Sequence, residues 1–239
     1  MAAAQPARAP GRRIVVLSPH LDDGVLSLGA AMAGWSRAGS TVELLTVLGC
    51  DPGSRAPAGG WDRRGGYGTE GDSARARREE DRHACAVLDV TPVWLPFGSV
   101  DYERHGDAQD VRAAVARAVD GADAALVPGF PLTHPDHDWL VRTLAEGRLG
   151  CKRIGLYAEQ PYASRADGER PEAPEWLAVA LGAMPSFSPL RASPRDQLAK
   201  WRAIREYRSQ LPLLGMRGSL RRGPHVLALN AEWVAWAGH

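Results

Sequence analysis

The stretch Arg13–Gly29, RIVVLSPHLDDGVLSLG, decides the fold class of this chain. Ile14–Leu17 is an unbroken apolar run, mostly β-branched, which is typical of a strand buried on both faces of a parallel sheet. Pro19 ends the run because proline cannot donate a ladder hydrogen bond. Apolar residues then return at helical spacing. The stretch therefore predicts a buried strand that turns into an amphipathic helix.

The turn after this strand carries His20, Asp22 and Asp23. Open α/β sheets bind their ligands at the carboxyl ends of strands. Aspartate is a common helix N-cap, so capping is one explanation for either carboxylate. Two adjacent carboxylates at a partly buried strand end repel each other, however, unless a cation compensates them. Histidine with carboxylate is a zinc ligand set, and a first helical turn would bring His20 and Asp23 to one side.

The remainder of the chain alternates apolar runs with helical patterns, which predicts a single α/β domain over residues 13–239. The expected fold is a Rossmann-like, doubly wound, mostly parallel sheet with a small C-terminal appended layer. In that layer we expect short strands near Trp176–Leu181, followed by a helix that Ser193 caps. Four further strands of the sheet are expected at Thr41–Leu48, Val93–Phe97, Ala124–Val127 and Arg153–Ala158.

A second polar cluster, Thr133–Asp138 (THPDHD), follows the fourth predicted strand and precedes a helix. It contains His134, Asp136 and His137, so it repeats the chemistry of the first cluster. Since the carboxyl ends of parallel strands meet at one edge of a sheet, we expect the two clusters to form one metal centre.

Composition excludes several classes of protein. The 239 residues carry a net charge of +1, which gives no long-range attraction to nucleic acid or an anionic membrane. No apolar segment is long enough to span a bilayer, and three scattered cysteines do not form a disulfide framework. We expect a cytoplasmic protein with a disordered tail over residues 1–12.

The GxGxxG pattern at 66–71 lacks a preceding strand and does not indicate dinucleotide binding.

The two clusters resemble the motifs PHPDDE and HPDH of the zinc-dependent N-deacetylases of the PIG-L/LmbE family. Here they read PHLDDG at 19–24 and HPDH at 134–137. Weaker similarities are RREED at 77–81, an acidic residue after the third strand, and KWRAIREYRSQ at 200–210. Leu21 in place of proline resembles the HLDD form of antibiotic-tailoring members. Gly24 replaces glutamate, which we interpret as the loss of a carboxylate at the mouth of the site.

The resemblance implies a zinc centre whose ligands are His20, Asp23 and His137, although iron or cobalt can use the same ligands. It implies that Asp22 is the general base. It also implies that His134 stabilises the oxyanion or assists as an acid.

Two further acidic residues receive roles from the resemblance. Asp136 would orient a histidine and so support catalysis, and Asp101 would face sugar hydroxyls. We expect the pocket walls to be Gly49–Gly71, Asp101–Gly106 and Glu159–Ser188. Among their residues, Trp61 and Glu159 are predicted to contact substrate.

The function implied is removal of an N-acetyl or N-acyl group from an amino sugar in a small-molecule conjugate, such as a glycosylated natural product. One alternative is an amidase that acts on a thiol conjugate or another small amide. Another is a sugar-binding homologue without activity, although that alternative predicts lost ligands, and here all the motif ligands are present. The sequence leaves the acceptor and the oligomeric state open.

Overall fold

A computed structural model describes residues 8–102, 107–165, 171–216 and 231–237. Seven strands lie at Arg13–Ser18 (β1), Thr41–Thr46 (β2), Thr91–Trp94 (β3), Ala124–Phe130 (β4), Ile154–Ala158 (β5), Ser188–Leu190 (β6) and Glu232–Trp236 (β7). The described α-helices lie at Asp23–Arg37 (α1), Gly60–Arg64 (α2), Glu70–Leu88 (α3), Ala108–Val119 (α4), Pro135–Ala145 (α5), Tyr162–Arg165 (α6), Glu175–Leu181 (α7) and Pro194–Ile204 (α8).

The strands form one mixed sheet in the order β3-β2-β1-β4-β5-β7-β6. The first five strands pair in parallel, whereas β7 runs antiparallel to both β5 and β6. The predicted α/β, mostly parallel sheet is therefore confirmed. The chain order reverses between β1 and β4, so these two strands flank the topological switch point at which such folds bind ligands.

Helices cover both faces of the sheet, as a doubly wound fold requires. Ile14 and Val16 of β1 pack into a core shared with α1, α3 and α8. Val15 and Leu17 pack into the opposite core, which is shared with α4, α5 and α7. Because side chains alternate along a strand, β1 supplies both cores at once. This explains why its sequence is an unbroken apolar run.

Helix α1 changes direction at Leu28, whose φ and ψ of −127° and 16° are not helical. The carboxylate of Glu232 accepts the N–H groups of Ala30 at 2.9 Å and Ala31 at 2.8 Å beyond the kink. Lys200 Nζ donates to the same carboxylate at 2.8 Å, and both side chains are buried. This ion pair ties the part of α1 that follows the kink to β7 and α8.

The structure changes four details of the predicted layout. Residues 175–181 form α7 instead of short strands, because Pro174 precedes it and Gly182 ends it in the left-handed conformation. The predicted pocket wall at 49–71 contains the short helix α2 and the first two residues of α3. Of the predicted tail, residues 1–7 lie outside the described residues, whereas the Arg12 N–H already bonds to Asp123 at 2.7 Å. The C-terminal addition joins the same sheet through β6 and β7.

None of the helices in the described parts of the chain is both long and apolar enough to cross a membrane.

Candidate metal centre

The two polar clusters meet at the edge of the sheet where β1 and β4 end. His20 lies in the turn after β1, and Asp23 is the first residue of α1. His134 and His137 lie at the corresponding junction between β4 and α5. The predicted convergence is observed, since three side-chain atoms from the two junctions lie within hydrogen-bonding distance of one another.

These atoms form a nearly equilateral triangle. His20 Nδ1 lies 3.2 Å from Asp23 Oδ2, His137 Nε2 lies 3.1 Å from Asp23 Oδ2, and the two ring nitrogens are 3.2 Å apart. Zinc bonds of 2.0–2.1 Å in tetrahedral geometry place neighbouring ligand atoms about 3.3–3.4 Å apart. The triangle therefore has the size of one face of a zinc tetrahedron, and these three residues fit a metal ion with its fourth position open.

Carboxylates hold the outer nitrogens of both histidines. His20 Nε2 lies 3.0 Å from Asp136 Oδ2. His137 Nδ1 lies 2.5 Å from Glu159 Oε1 as an ion pair. Asp136 and Glu159 are both 0 % exposed. A carboxylate on the outer nitrogen leaves the inner one to bind metal, which is the usual arrangement at protein metal sites. The contact that the resemblance implied for Asp136 is thus present.

The charges at the triangle favour ionised groups. Burial opposes charge on Asp23, but His137 and His20 outweigh it and hold the pKa of Asp23 well below its ordinary value. Burial likewise opposes charge on His137, whose pKa is nevertheless raised by Asp23 and Glu159. Each group is charged only because its neighbours compensate it. A bound cation would take over that role.

His134 offers a third ring nitrogen, within 4.8 Å of those of His20 and His137. Its Nδ1, however, accepts the backbone N–H of Asp136 at 3.2 Å and caps α5. A ring that accepts at Nδ1 is neutral and carries its proton on Nε2. Burial, with help from the two other histidines, lowers the pKa of His134 to about 4. Its geometry therefore favours a neutral hydrogen-bond donor over a cationic acid.

Asp22 occupies the N-cap position of α1, yet its side chain makes no capping hydrogen bond to the described backbone. The carboxylate instead lines the same cavity as His20 and His134, with Oδ1 3.7 Å from Arg77 Nη2. Burial and the adjacent Asp23 raise the pKa of Asp22 to about 6, against the opposing effect of Arg77. Capping therefore does not explain this carboxylate, and it is available to exchange a proton.

The predicted substrate contacts have different outcomes. Asp101 and Trp61 line the cavity, and the backbone N–H of Trp61 donates to Asp101 Oδ2 at 3.0 Å. Glu159 does not face the cavity, because it is fully buried against His137 and its other oxygen accepts the N–H of Leu132 at 3.3 Å. The prediction of a direct substrate contact for Glu159 is wrong. Residues 103–106 of the predicted wall lie outside the described residues.

Gly24 does not lie at the mouth of the site. A β-carbon at position 24 would lie 2.5 Å from Leu44 Cδ1 and 3.3 Å from Ser18 Cβ. The backbone N–H of Gly24 donates to Ser18 Oγ at 2.8 Å. The position faces the sheet interior, so the interpretation of Gly24 as a lost carboxylate at the cavity mouth is wrong for this chain.

Sequence reasoning missed a buried group beside the cavity. Arg77 Nη1 lies 3.4 Å from Asp62 Oδ1, and Tyr102 donates its hydroxyl proton to the other oxygen of Asp62 at 2.5 Å. All three residues line the cavity. The RREED pattern was a signal for this group, because its alternating charges fit an inward-facing ion pair as well as a solvated helix face. Asp62 and Tyr102 gave no sequence signal of their own.

Comparisons with known proteins agree with this geometry. Residues 15–146 match the family model described as PIG-L: GlcNAc-PI de-N-acetylase. That range contains both polar clusters and is more than half of the chain. No curated protein matches significantly.

Several solved structures share the fold over nearly their whole length. The A40926 pseudoaglycone deacetylase Dbv21 is 22 % identical, with 95 % of this chain and 96 % of that chain covered and a TM-score of 0.73. A triple mutant of a deacetylase of teicoplanin biosynthesis is 24 % identical, with 94 % and 97 % covered and a TM-score of 0.71. GalB, a 4-carboxy-2-hydroxymuconate hydratase from Pseudomonas putida, is 17 % identical, with 96 % and 97 % covered and a TM-score of 0.58. Because a hydratase shares the fold, these likenesses establish architecture and not chemistry.

Proposed function

The chain belongs to the PIG-L family. We propose that it is a metal-dependent hydrolase that removes an acetyl or similar acyl group from an amino sugar. The observation that carries the proposal is the triangle of His20 Nδ1, Asp23 Oδ2 and His137 Nε2, with Asp22 in the same cavity. Ligands, an open coordination position and a carboxylate that can exchange a proton are the parts that amide hydrolysis needs.

Zinc is the proposed ion, and when bound by these three residues it would lower the pKa of a water molecule from about 15.7 towards about 7. Iron or cobalt can use the same ligands. Asp136 and Glu159 fix the ring orientation of the two ligand histidines.

Each remaining group has a separate task in the proposed reaction. Asp22 takes a proton from the attacking water and passes it to the leaving amine, because its carboxylate lies in the cavity of the ligand triangle and makes no capping hydrogen bond. His134 lines the cavity with its proton on Nε2, so it can donate to the oxyanion of the tetrahedral intermediate. Arg77, near Asp22, stabilises the ionised base.

The substrate class follows from the size of the cavity and from the relatives. The cavity holds about 320 Å³, the lower end of the range for ligand sites, which is about 300–1,000 Å³. We propose that one amino sugar enters it while the remainder of the conjugate stays outside. The deacetylases of teicoplanin biosynthesis and of the A40926 pseudoaglycone favour a glycosylated natural product.

The first prediction concerns Asp22. Asp22→Asn keeps the shape of the side chain but cannot accept the water proton, so we expect kcat to fall about 10²- to 10⁴-fold while the zinc content stays unchanged. The measurements are acetate release from N-acetylglucosamine-containing conjugates and metal analysis of the purified variant. Asp196→Asn is the control, because Asp196 is also a buried aspartate and does not line the cavity. Unchanged turnover of the metal-loaded Asp22 variant would defeat the base role.

A substrate panel separates the remaining alternative. It should contain N-acetylglucosamine conjugates and an N-acylated thiol conjugate, each tested with the zinc-loaded enzyme. We expect higher kcat/KM on the amino sugars. Preference for the thiol conjugate would keep the metal chemistry and replace the proposed acceptor.

A further inference from the structure

Helix α2 brings Trp61 to the cavity that holds the proposed metal ligands. The indole is partly exposed, and the guanidinium carbon of Arg64 lies 5.0 Å from its ring centroid. His20 and Asp22 line the same cavity. Since Trp61 offers neither a metal ligand nor a proton-exchanging group, its ring can contact only the part of the substrate that does not react.

The edge of this indole is anchored to the segment that follows α8. Trp61 Nε1 donates to Gln210 Oε1 at 2.7 Å, and Gln210 is 1 % exposed. Gln210 Nε2 donates to Ser209 Oγ at 2.8 Å. Ser209 donates to Glu80 twice, from Oγ to Oε2 at 2.7 Å and from its N–H to Oε1 at 2.9 Å.

The direction of this relay is determined at both ends. An indole nitrogen can only donate, and an ionised carboxylate can only accept. The Gln210 amide must therefore present its oxygen to Trp61 and its nitrogen to Ser209. The flipped amide would place two donors against each other at the indole. The relay thus holds the indole edge in one orientation.

From these contacts we infer that Gln210 is a positioning residue, which fixes the Trp61 ring as the platform for the acceptor part of the amino-sugar substrate. The inference rests on the proposed function and deepens it, because it assigns Gln210, in the segment after α8, to substrate affinity. A ring that is already fixed loses little conformational freedom when substrate binds. The contact is present before and during the reaction, so it lowers KM and leaves kcat unchanged.

The test compares Gln210→Leu, Trp61→Phe and the double variant, all zinc-loaded, on an N-acetylglucosamine conjugate. Loss of one neutral hydrogen bond predicts that KM rises about 3- to 10-fold in Gln210→Leu with kcat within about twofold. In the Trp61→Phe background the indole N–H is absent, so the second change should add less than about twofold. Gln210→Glu keeps an acceptor for the indole but loses the donor to Ser209 and adds a carboxylate near Glu80, so we expect it to restore KM only in part.

Trp94→Phe is the matched control, since Trp94 donates its indole proton to Asp81 outside the cavity. It should change the melting temperature and not KM. Unchanged KM in a folded Gln210→Leu enzyme, or fully multiplicative effects in the double variant, would overturn the inference.

A second readout does not require activity. In 15N-labelled enzyme we expect slow exchange of the Trp61 indole proton in the wild type and fast exchange in Gln210→Leu. Equal exchange rates would overturn the positioning role by themselves. If the wild type releases no acetate from any amino sugar, the proposed function fails, and the exchange rates still decide whether Gln210 holds the indole.

Discussion

At the scale of single residues, Glu159 shows how a ligand histidine is held. Its carboxylate comes from the end of β5, lies 2.5 Å from His137 Nδ1 and is fully buried. The next residue, Gln160, bonds through its N–H to Ser27 Oγ at 3.0 Å, so the backbone there is fixed to α1. His137 is therefore held from three directions: its own helix, α1 through Asp23, and β5 through Glu159.

This arrangement predicts the effect of Glu159→Ala on metal affinity. The change leaves the outer nitrogen of His137 buried without its carboxylate, and we expect zinc affinity to fall about 10- to 100-fold. Glu159→Gln keeps an acceptor and should lose less. The measurement is competition with a chelator at fixed pH, with the exposed Glu175→Ala as the control. If both alanine variants bind zinc as tightly as the wild type, the orienting role is wrong.

The motif residues could be placed from sequence because their spacing restricts them to strand ends. His20, Asp23 and His137 converge as expected, and Asp22 proved to lack the capping bond that was its alternative explanation. Glu159 and Gly24 could not be placed, since nothing local shows which way a side chain at a strand end or in a first helical turn points. Leu44, a residue of another strand, decides what fits at Gly24.

At the scale of elements, α3 is joined to β3 and to the segment after α8 through Asp81. Tyr207 donates its hydroxyl proton to Asp81 Oδ1 at 2.6 Å, and Trp94 donates its indole proton to Asp81 Oδ2 at 2.7 Å. Burial raises the pKa of Asp81 to about 7, against the effect of these two hydrogen bonds. The carboxyl group thus changes charge near neutral pH inside a contact among three elements.

The pH dependence of stability follows from this shift. The folded protein keeps a proton on Asp81 that the unfolded chain releases between pH about 4 and 7. The free energy of unfolding therefore falls across this window, and the stabilising contribution is lost as pH rises through about 7. Asp81→Asn is uncharged throughout, and its amide can donate to Tyr207 while its oxygen accepts from Trp94. We expect the variant to become more stable than the wild type above pH 7.

The measurement is the urea midpoint of both proteins between pH 5 and 9. A shift from about 4 to about 7 is worth about 4 kcal/mol in full, of which about 3 kcal/mol falls between pH 5 and 9. Groups that the Asp81 charge does not reach titrate equally in the two proteins and cancel in the difference, whereas Asp22, whose charge raises the pKa of Asp81, contributes to it. Parallel curves would mean that Asp81 does not carry the shift.

Elements with their own periodicity were predictable, and those that depend on distant contacts were not. The apolar runs of β1 and β2 and the Ser193 cap of α8 gave correct positions because each signal is local. The run at Trp176–Leu181 is too short for its period to separate helix from strand. The segment packs against α5 as a helix. In this contact the guanidinium carbon of Arg142 lies 4.0 Å from the ring centroid of Trp176.

At the scale of the whole molecule, the proposed metal centre joins segments that are far apart in sequence. Its ligands and their carboxylates follow β1, β4 and β5, which are three neighbouring strands of the sheet. The unfolded chain does not hold these groups together. A metal ion that binds the folded state preferentially must therefore stabilise the whole sheet.

Metal removal consequently predicts a change in global stability. With zinc about 100-fold above its dissociation constant, the gain is about 2.7 kcal/mol, which corresponds to about 5–10 °C in melting temperature for a chain of this size. Chelation should reverse it, as measured by thermal unfolding with and without added zinc. His137→Gln should lose the shift, whereas His83→Gln, a change at a half-exposed histidine on α3, should keep it. An equal shift in both variants would place the stabilising ion elsewhere, because only His137 lies at the strand ends that the ion would join.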